Sequence, residues 1–280
     1  MNQYPAPTIS IIIPTFQAGG TLANVLESVA KQTSQDYEIL MMDGGSSDDT
    51  ARIAQTYCDQ SARFRFFMEP DGGVYHAMNK GIKIAKGQWL LFLGSDDLLY
   101  EDETLEKLTS AVTDNDDVVY GNVFSTRFGG FYDGEFDDEK LIDKNISHQA
   151  ILFNRRVFAI LGAYDPAYKV VADWEFNFRW FLSPKIRKRH IDVVVANYAD
   201  GGLSSRQDDL LFQRNRMLLY VRHGKDRLSF RTKSTILLAE FKRALRGRNV
   251  RLLFGILTTI PRVFWLIRLK RTSFDEASRA

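Results

Sequence analysis

Two adjacent carboxylates, Asp96 and Asp97, follow six residues, Trp89 to Gly94, that carry no charged side chain. An apolar run of this length without alternation fits a strand covered on both faces, as in a parallel sheet flanked by helices. In such sheets ligands bind beyond the carboxyl ends of the strands. Neighbouring carboxylates repel one another unless something positive joins them. A hard divalent cation, Mg2+ or Mn2+, bridging to phosphate oxygens meets that need. The plainer alternative is a helix cap, since Asp is a good N-cap. Two more acids follow apolar runs in the same way: Asp43 in Asp43-Gly44-Gly45-Ser46, and Asp71 in Pro70-Asp71-Gly72-Gly73. Both also read as turn residues.

Strands must carry these acids. Ile9-Ser10-Ile11-Ile12-Ile13 is a β-branched run ended by Pro14, and reads as a first buried strand. Thr21 can cap a helix whose apolar positions Leu22, Val25, Leu26 and Val29 follow the helical period. Tyr37 to Met42 reads as a second strand, with a helix after it to about Cys58. Phe64 to Met68 reads as a third strand, and Val74 to Lys86 as a helix stopped by Gly87. Strand and helix alternate three times before the strand that ends at Asp96. That alternation predicts right-handed crossovers and a parallel sheet, with Asp43, Asp71, Asp96 and Asp97 gathered along one edge.

Several of these segments together resemble a family. Ser10-Ile11-Ile12-Ile13-Pro14-Thr15-Phe16, Asp43-Gly44-Gly45-Ser46, Gly81-Ile82-Lys83-Ile84-Ala85-Lys86-Gly87 and Ser95-Asp96-Asp97 look like the family 2 glycosyltransferases, over roughly 8–220. The resemblance implies the GT-A fold: a Rossmann-like, mixed, mostly parallel sheet flanked by helices. It also implies inverting transfer of a sugar from a nucleotide donor. Met78-Asn79-Lys80-Gly81 and His148-Gln149 look most like bacterial members that build surface polysaccharides. By the resemblance, Asp43 would bond the nucleobase, with Pro14, Thr15 and Phe16 lining the same pocket. Asp96 would approach the ribose and Asp97 would hold the metal. Asp71 and Lys80 could contact the nucleotide. One position departs from the pattern: His76 stands where many relatives carry Asp. His76 could contact phosphate, and a solvent-facing helix histidine is the ordinary reading of it.

The second half supplies acceptor-side candidates. Asp102 to Leu108 reads as a helix, Val118 to Asn122 as a strand, and Phe124 to Phe131 as a hairpin. Asp133 to Asp143 is an acidic loop, a lid in one reading and a solvated loop by default. His148-Gln149 precedes an apolar strand, Ala150 to Phe153, and a short helix from Arg155 to Leu161. His148 could bond the acceptor, touch the diphosphate, or be packed structurally. Trp174, Phe178 and Phe181 lie at helical spacing, so a helix starts near Asp173, which could cap it. In the resembling family this position supplies the catalytic base. Asp173 is the candidate, Glu175 its substitute, and Trp174 a neighbour on the acceptor side. Asp192 to Ala196 reads as a late strand, Gly201 to Ser204 as a loop near the donor phosphates, and Asp208 to His223 as a helix.

One base beside the acceptor hydroxyl implies a single displacement and hence inversion. A glycoside hydrolase would need two facing carboxylates and no nucleotide pocket. Nucleotidyltransferase chemistry would want a glycine-rich, basic loop after the first strand, and Pro14-Thr15-Phe16-Gln17 is not one.

The composition, 45% hydrophobic and 26% charged over 280 residues, is that of a soluble globular protein. Cys58 is the only cysteine, which excludes an internal disulfide. Neither a signal-peptide pattern at Met1 to Pro7 nor an apolar run of roughly 18–20 residues is found, so a cytoplasmic protein is expected. Charge is uneven. Residues 222–280 hold 15 Lys+Arg against 4 Asp+Glu, or +11, whereas 1–221 come to −9. The expected organisation is a catalytic domain over 1–221, with a donor half 1–122 and an acceptor half 123–221. A basic helical extension follows over 222–280. Its apolar clusters alternate with Arg and Lys over 230–271, which suits the inner membrane surface. Packing on the catalytic domain or on a second subunit is the alternative. No nucleic-acid motif accompanies the charge. The expectation is a metal-dependent, inverting transferase, taking a UDP-sugar to a saccharide or polyprenyl-linked acceptor. The rival is a nucleotide-sugar-binding scaffold on the same fold.

Overall fold

The computed structural model describes residues 7–126, 129–199 and 208–224, together with 235, 238, 241 and 242. The chain divides into two compact units, Met1–Asp208 and Asp209–Ala280. The first holds every element up to 208. It opens with β1 (Ile9–Thr15), α1 (Leu22–Ala30), β2 (Tyr37–Asp43), α2 (Thr50–Gln60), β3 (Phe64–Met68), α3 (Val74–Ile84) and β4 (Trp89–Phe92). It continues with β5 (Leu98–Leu99), α4 (Thr104–Ala111), β6 (Val118–Ser125), β7 (Gly130–Tyr132), α5 (Lys140–Asp143) and a 3-10 turn at His148–Ala150. β8 (Ile151–Asn154), α6 (Arg156–Leu161), α7 (Ala172–Phe181) and β9 (Lys188–Asn197) complete it. In the second unit α8 (Leu210–His223) begins at Asp209, whose carboxylate accepts the Phe212 N–H at 3.0 Å.

Among the described residues the strands form one sheet in the order β3-β2-β1-β4-β8-β6-β9-β5, with β7 paired to β6. The first four strands run parallel to one another. β8 runs antiparallel to both β4 and β6, which makes the sheet mixed. β1, β2 and β4 are buried along their whole length, the mark of strands covered on both faces. The apolar face of α1, Leu22, Val25, Leu26 and Val29, packs into the same core.

Several expectations are corrected. Pro14 does not end β1, which runs on to Thr15. The β1–β4 pairing stops at Ile12, so the missing N–H of Pro14 falls beyond the last pair on that side. The run Trp89–Gly94 leaves the sheet after Phe92, and Leu93 keeps a bond to the Ile12 carbonyl at 3.1 Å. Thr21 sits at the N-cap of α1 without a side-chain capping bond. Residues 133–143 are no solvated loop: Phe136, Leu141 and Ile142 are buried, and α5 forms there. The Lys140 ammonium draws the segment together through the carbonyls of Asp133 and Glu135, and lies 4.1 Å from the centre of the Phe136 ring.

Candidate active site

β2 and β4 flank β1, so Asp43 and the loop that carries Asp96 and Asp97 follow strands two spacings apart, at the same edge of the sheet. Thr15 and Asp43 face each other in the β1–β2 register, and the Thr15 hydroxyl donates to Asp43 Oδ1 at 3.2 Å. The rest of the Asp43 shell comes from its own turn. Oδ2 accepts the Gly45 and Ser46 N–H groups at 2.9 and 2.8 Å, and Oδ1 accepts the Ser46 hydroxyl at 2.6 Å. The carboxylate is buried with four donors on it. A base N–H reaching Asp43 would have to displace one of them, and the Thr15 and Ser46 hydroxyls are the two that can rotate away. Pro14 is buried, whereas Phe16 is 64% exposed beside this loop.

The neighbouring loop closes on the same point. A Cβ on Gly44 would stand 3.2 Å from Asp71 Oδ1, so the two loops touch there. Asp71 Oδ1 accepts the Gly73 N–H at 2.9 Å, while Oδ2 is buried without a hydrogen-bond partner. Lys80, from α3, donates to the Glu69 carbonyl at 3.0 Å, and its ammonium is 3.9 Å from Asp71 Oδ2. Lys80 thus ties down the loop that carries Asp71. His76 is exposed, as a solvent-facing helix residue should be.

The acid pair turns back over Gly94. A Cβ there would stand 2.5 Å from Asp97 Oδ2 and 2.9 Å from Asp96 Oδ1, so only glycine lets both carboxylates fold over one point. Asp96 is half-buried. Asp97 is buried and held from far along the chain. Its Oδ2 accepts the Gln149 amide at 2.6 Å and the Gly94 N–H at 3.2 Å, and its Oδ1 accepts the Ala199 N–H at 2.9 Å. Among the described residues no group of three or more His, Cys, Asp or Glu side chains forms a metal cage. A Mg2+ or Mn2+ ion held by one or two carboxylates and completed by substrate phosphates needs none. Two hard oxygen donors folded over one glycine fit that arrangement.

The turn that brings Gln149 to Asp97 also brings His148 to Asp173. His148 Nδ1 is 3.5 Å from Asp173 Oδ2. Burial of the ring works against its charged form. The Asp173 hydrogen bond and the charges of Asp173, Asp97 and Asp96 outweigh it, and the His148 pKa is raised. Asp173 is 7% exposed. It lies in the first turn of α7, and Val171 takes the cap position assigned to it. Its carboxylate is therefore spent on side chains rather than on the helix end. Tyr75 donates to Oδ1 at 2.8 Å and the Asn145 amide donates to Oδ2 at 2.8 Å. Asn177 donates to Asn145 Oδ1 at 2.8 Å and so orients that amide. Burial and the Asp173 charge push the Tyr75 pKa well above its ordinary value, which keeps the phenol a donor. Behind Asp173, Phe176 packs among Phe153, Phe158 and Tyr164, its ring stacked on Phe158 at 5.0 Å.

Glu175 requires a correction. Two residues beyond Asp173 it points off the far side of the helix, about 200° round. It is buried in an ion pair with Arg179 at 2.7 Å. Arg179 in turn bonds the Leu161 and Ala163 carbonyls. Glu175 braces α7 and does not join the Asp173 group. Trp174 is half-buried and donates to the Leu141 carbonyl at 2.8 Å, linking α7 to α5. Gly201 to Ser204 and the basic stretch 230–271 lie outside the described residues, apart from 235, 238, 241 and 242.

The sequence reading missed Tyr75, Asn145 and the role of Gln149. Only Gln149, next to a singled-out histidine, carried a signal. The other two lie 98 and 28 residues from the carboxylate they hold.

Known proteins resemble this chain in sequence and in fold. Residues 10–161 match the model for "Glycosyl transferase family 2". A PGL/p-HBAD biosynthesis glycosyltransferase of Mycobacterium tuberculosis is 43% identical over 205 residues, 71% of this chain and 80% of that protein. Glycosyltransferase GlyG of Streptococcus pneumoniae is 31% identical over 183 residues, 64% of this chain and 55% of that one. In three dimensions the chain superposes on Staphylococcus aureus TarS 1–349 in complex with UDP-GlcNAc with a TM-score of 0.66 at 18% identity. That match covers 85% of this chain and 72% of the other. Against a longer TarS chain it spans 43% of that chain. Mannosyltransferase PcManGT from Pyrobaculum calidifontis, in complex with GDP-Man and Mn2+, gives a TM-score of 0.57 at 15% identity. That match covers 96% of this chain and 81% of the other. At such identities these likenesses speak for the fold, which is GT-A.

Proposed function

The chain belongs to the family 2 glycosyltransferases, and from that premise we propose that it moves a hexosyl or N-acetylhexosaminyl group from a UDP-sugar, with inversion, to a saccharide or lipid-linked saccharide. The observation that carries this reading is one connected set of contacts. Asp97 is held by Gln149, whose neighbour His148 meets Asp173, itself fixed by Tyr75 and Asn145.

The nucleotide lies against the loops after β1, β2 and β3. Phe16 offers an exposed ring to the base, while Pro14, Thr15 and Asp43 shape the pocket floor. Asp71 lies in the loop on the nucleotide side, its Oδ2 3.9 Å from the ammonium of Lys80, which steadies that loop. Asp96 reaches the ribose, and Asp97 with it holds a divalent cation. When bound, that ion neutralises charge on the departing diphosphate as a Lewis acid. Asp173 takes the proton of the acceptor hydroxyl as that oxygen bonds the anomeric carbon and the bond to the diphosphate breaks. Tyr75 and Asn145 fix the carboxylate, so its orientation costs nothing at the moment of reaction. His148, held toward its charged form, sits between base and leaving group, and Trp174 borders the acceptor.

A UDP donor is supported by the TarS complexes, and divalent metal by the PcManGT complex with Mn2+. A lipid-linked acceptor is supported by the M. tuberculosis relative, named for PGL/p-HBAD biosynthesis. The +11 charge of residues 222–280 suits the anionic membrane surface at which such an acceptor resides. No helix among the described residues is long and apolar enough to cross a membrane. A screen of nucleotide sugars for slow hydrolysis with Mn2+ tests the reading. Turnover of one UDP-sugar, lost in Asp97→Ala, is expected. Tight UDP binding with no turnover on any donor or acceptor would instead make the protein a scaffold.

A further inference from the structure

A cavity of about 620 Å³ opens at the other edge of the sheet, where β1 and β4 begin and β8 ends. Its wall includes Thr8, Lys86, Gln88, Asn154, Arg155 and Arg156. β1 is seven residues long, so this cavity and the acids are separated by about 20 Å. Its volume falls within the roughly 300–1,000 Å³ of small-molecule sites.

Its charge is one-sided. Lys86, Arg155 and Arg156 line it, and no Asp or Glu does. Arg155 is fixed by neutral groups: its guanidinium donates to the Ala85 carbonyl at 2.7 Å and its backbone N–H to the Gln88 carbonyl at 2.8 Å. Those bonds hold the side chain without cancelling its charge. The acids nearby are engaged by groups other than the Lys86 and Arg155 side chains. Asp117 pairs with both Arg156 and Arg187. Glu38 pairs with Arg65, and it accepts the Ser10 hydroxyl and the backbone N–H of Lys86. Asp36 accepts the Thr8 hydroxyl and N–H. The charges of Lys86 and Arg155 thus meet no carboxylate among the ion pairs of the described residues. A planar guanidinium and an ammonium on one rim, with the Gln88 and Asn154 side-chain amides beside them, match a phosphate group's oxygens.

We propose that this cavity binds a phosphate-bearing anion, a phosphate monoester or diphosphate, independently of the sugar-transfer site. Free phosphates and lipid headgroups share that chemistry, and the test separates them. Full-length protein is titrated with pyrophosphate by calorimetry in EDTA, which removes the metal that a diphosphate at the Asp96–Asp97 edge would need. In parallel it is sedimented with phosphatidylglycerol vesicles and with neutral phosphatidylcholine vesicles.

Pyrophosphate binding is expected in wild type, weakened about tenfold by Lys86→Ala and more by Lys86→Glu, and weaker in high salt. Lys86 is exposed, so both variants should fold, which circular dichroism checks. Asp96→Asn should leave the titration unchanged, which separates this site from the other edge. Binding to phosphatidylglycerol vesicles alone, lost in Lys86→Glu, would support the same site with a lipid as its source. Absence of binding in both arms would overturn the proposal. So would equal binding by wild type and Lys86→Glu.

Discussion

The acids of the first half of the sheet and those of the second are held in opposite ways. Asp43 and Asp71 are closed mainly by their own turns, through Gly45 and Ser46 in one case and Gly73 in the other. Asp97 and Asp173 take their decisive donors from residues 28 to 102 positions away. A turn-closed acid is nearly complete once its loop forms. An acid held across the fold is in place only when β4, β9, α3 and α7 are packed. Under the proposed function, the first arrangement would shape the nucleotide pocket and the second would set a proton acceptor at a fixed distance from the leaving group.

The largest effect that would test this contrast is at Asp173, the proposed base. Asp173→Asn keeps the shape and removes the carboxylate proposed to accept the proton. Turnover should fall about 10³-fold with the donor KM unchanged. Steady-state kinetics with an identified donor would show it, and undiminished turnover would move the base elsewhere.

Asp133 comes next. Its Oδ2 accepts the Ser147 N–H at 3.0 Å, just ahead of His148, and its Oδ1 is buried without a hydrogen-bond partner. Burial pushes its pKa up from 3.8 to about 7. The folded chain therefore holds a proton that the unfolded chain has lost between those values. The stability this lends is whole below about pH 4 and is lost as pH rises through 7. Asp133→Asn mimics the protonated form, so at pH 8 it should stabilise the fold by up to about 4 kcal/mol. The gain should vanish near pH 4. Thermal unfolding at the two pH values reads the difference, and equal shifts at both would refute the burial of this charge.

Gln149→Ala strips Asp97 of its shortest contact and should cost about 2 kcal/mol of stability. Turnover should fall more than donor affinity, because His148 shifts with the turn. Tyr75→Phe keeps the ring, which packs against Tyr164 at 5.5 Å, and removes one donor from Asp173. About 1 kcal/mol and a several-fold loss in kcat are expected. Ser46→Ala is the matching change on the turn-closed side. With three donors left on Asp43, urea unfolding should show about 0.5 kcal/mol or less. A loss as large as that of Gln149→Ala would erase the contrast between the two halves.

The parallel half of the sheet was legible because each of its strands is a run of apolar residues ended by a glycine-bearing turn. The Asp-Gly-Gly signals at 43 and 71 located their turns for the same reason. β5, two residues long, carries too little pattern to be read, and it exists because β9 is there to pair with it. Glu175 misled because sequence adjacency to Asp173 says nothing of the 200° turn between them.

Sequence alone determined which strands are buried, where their acid-bearing loops fall, and that these loops share one edge. Periodicity and turn chemistry are local, and the crossover rule carries them to a common rim. Tertiary structure decided which oxygens of those acids are already taken, because Tyr75, Asn145, Gln149 and Ala199 reach them only after distant segments pack. It also decided that Asp173 stands off the helix end, and that Lys86 and Arg155 share a cavity at the far rim. Those are matters of distance between residues remote in the chain, which no local pattern encodes.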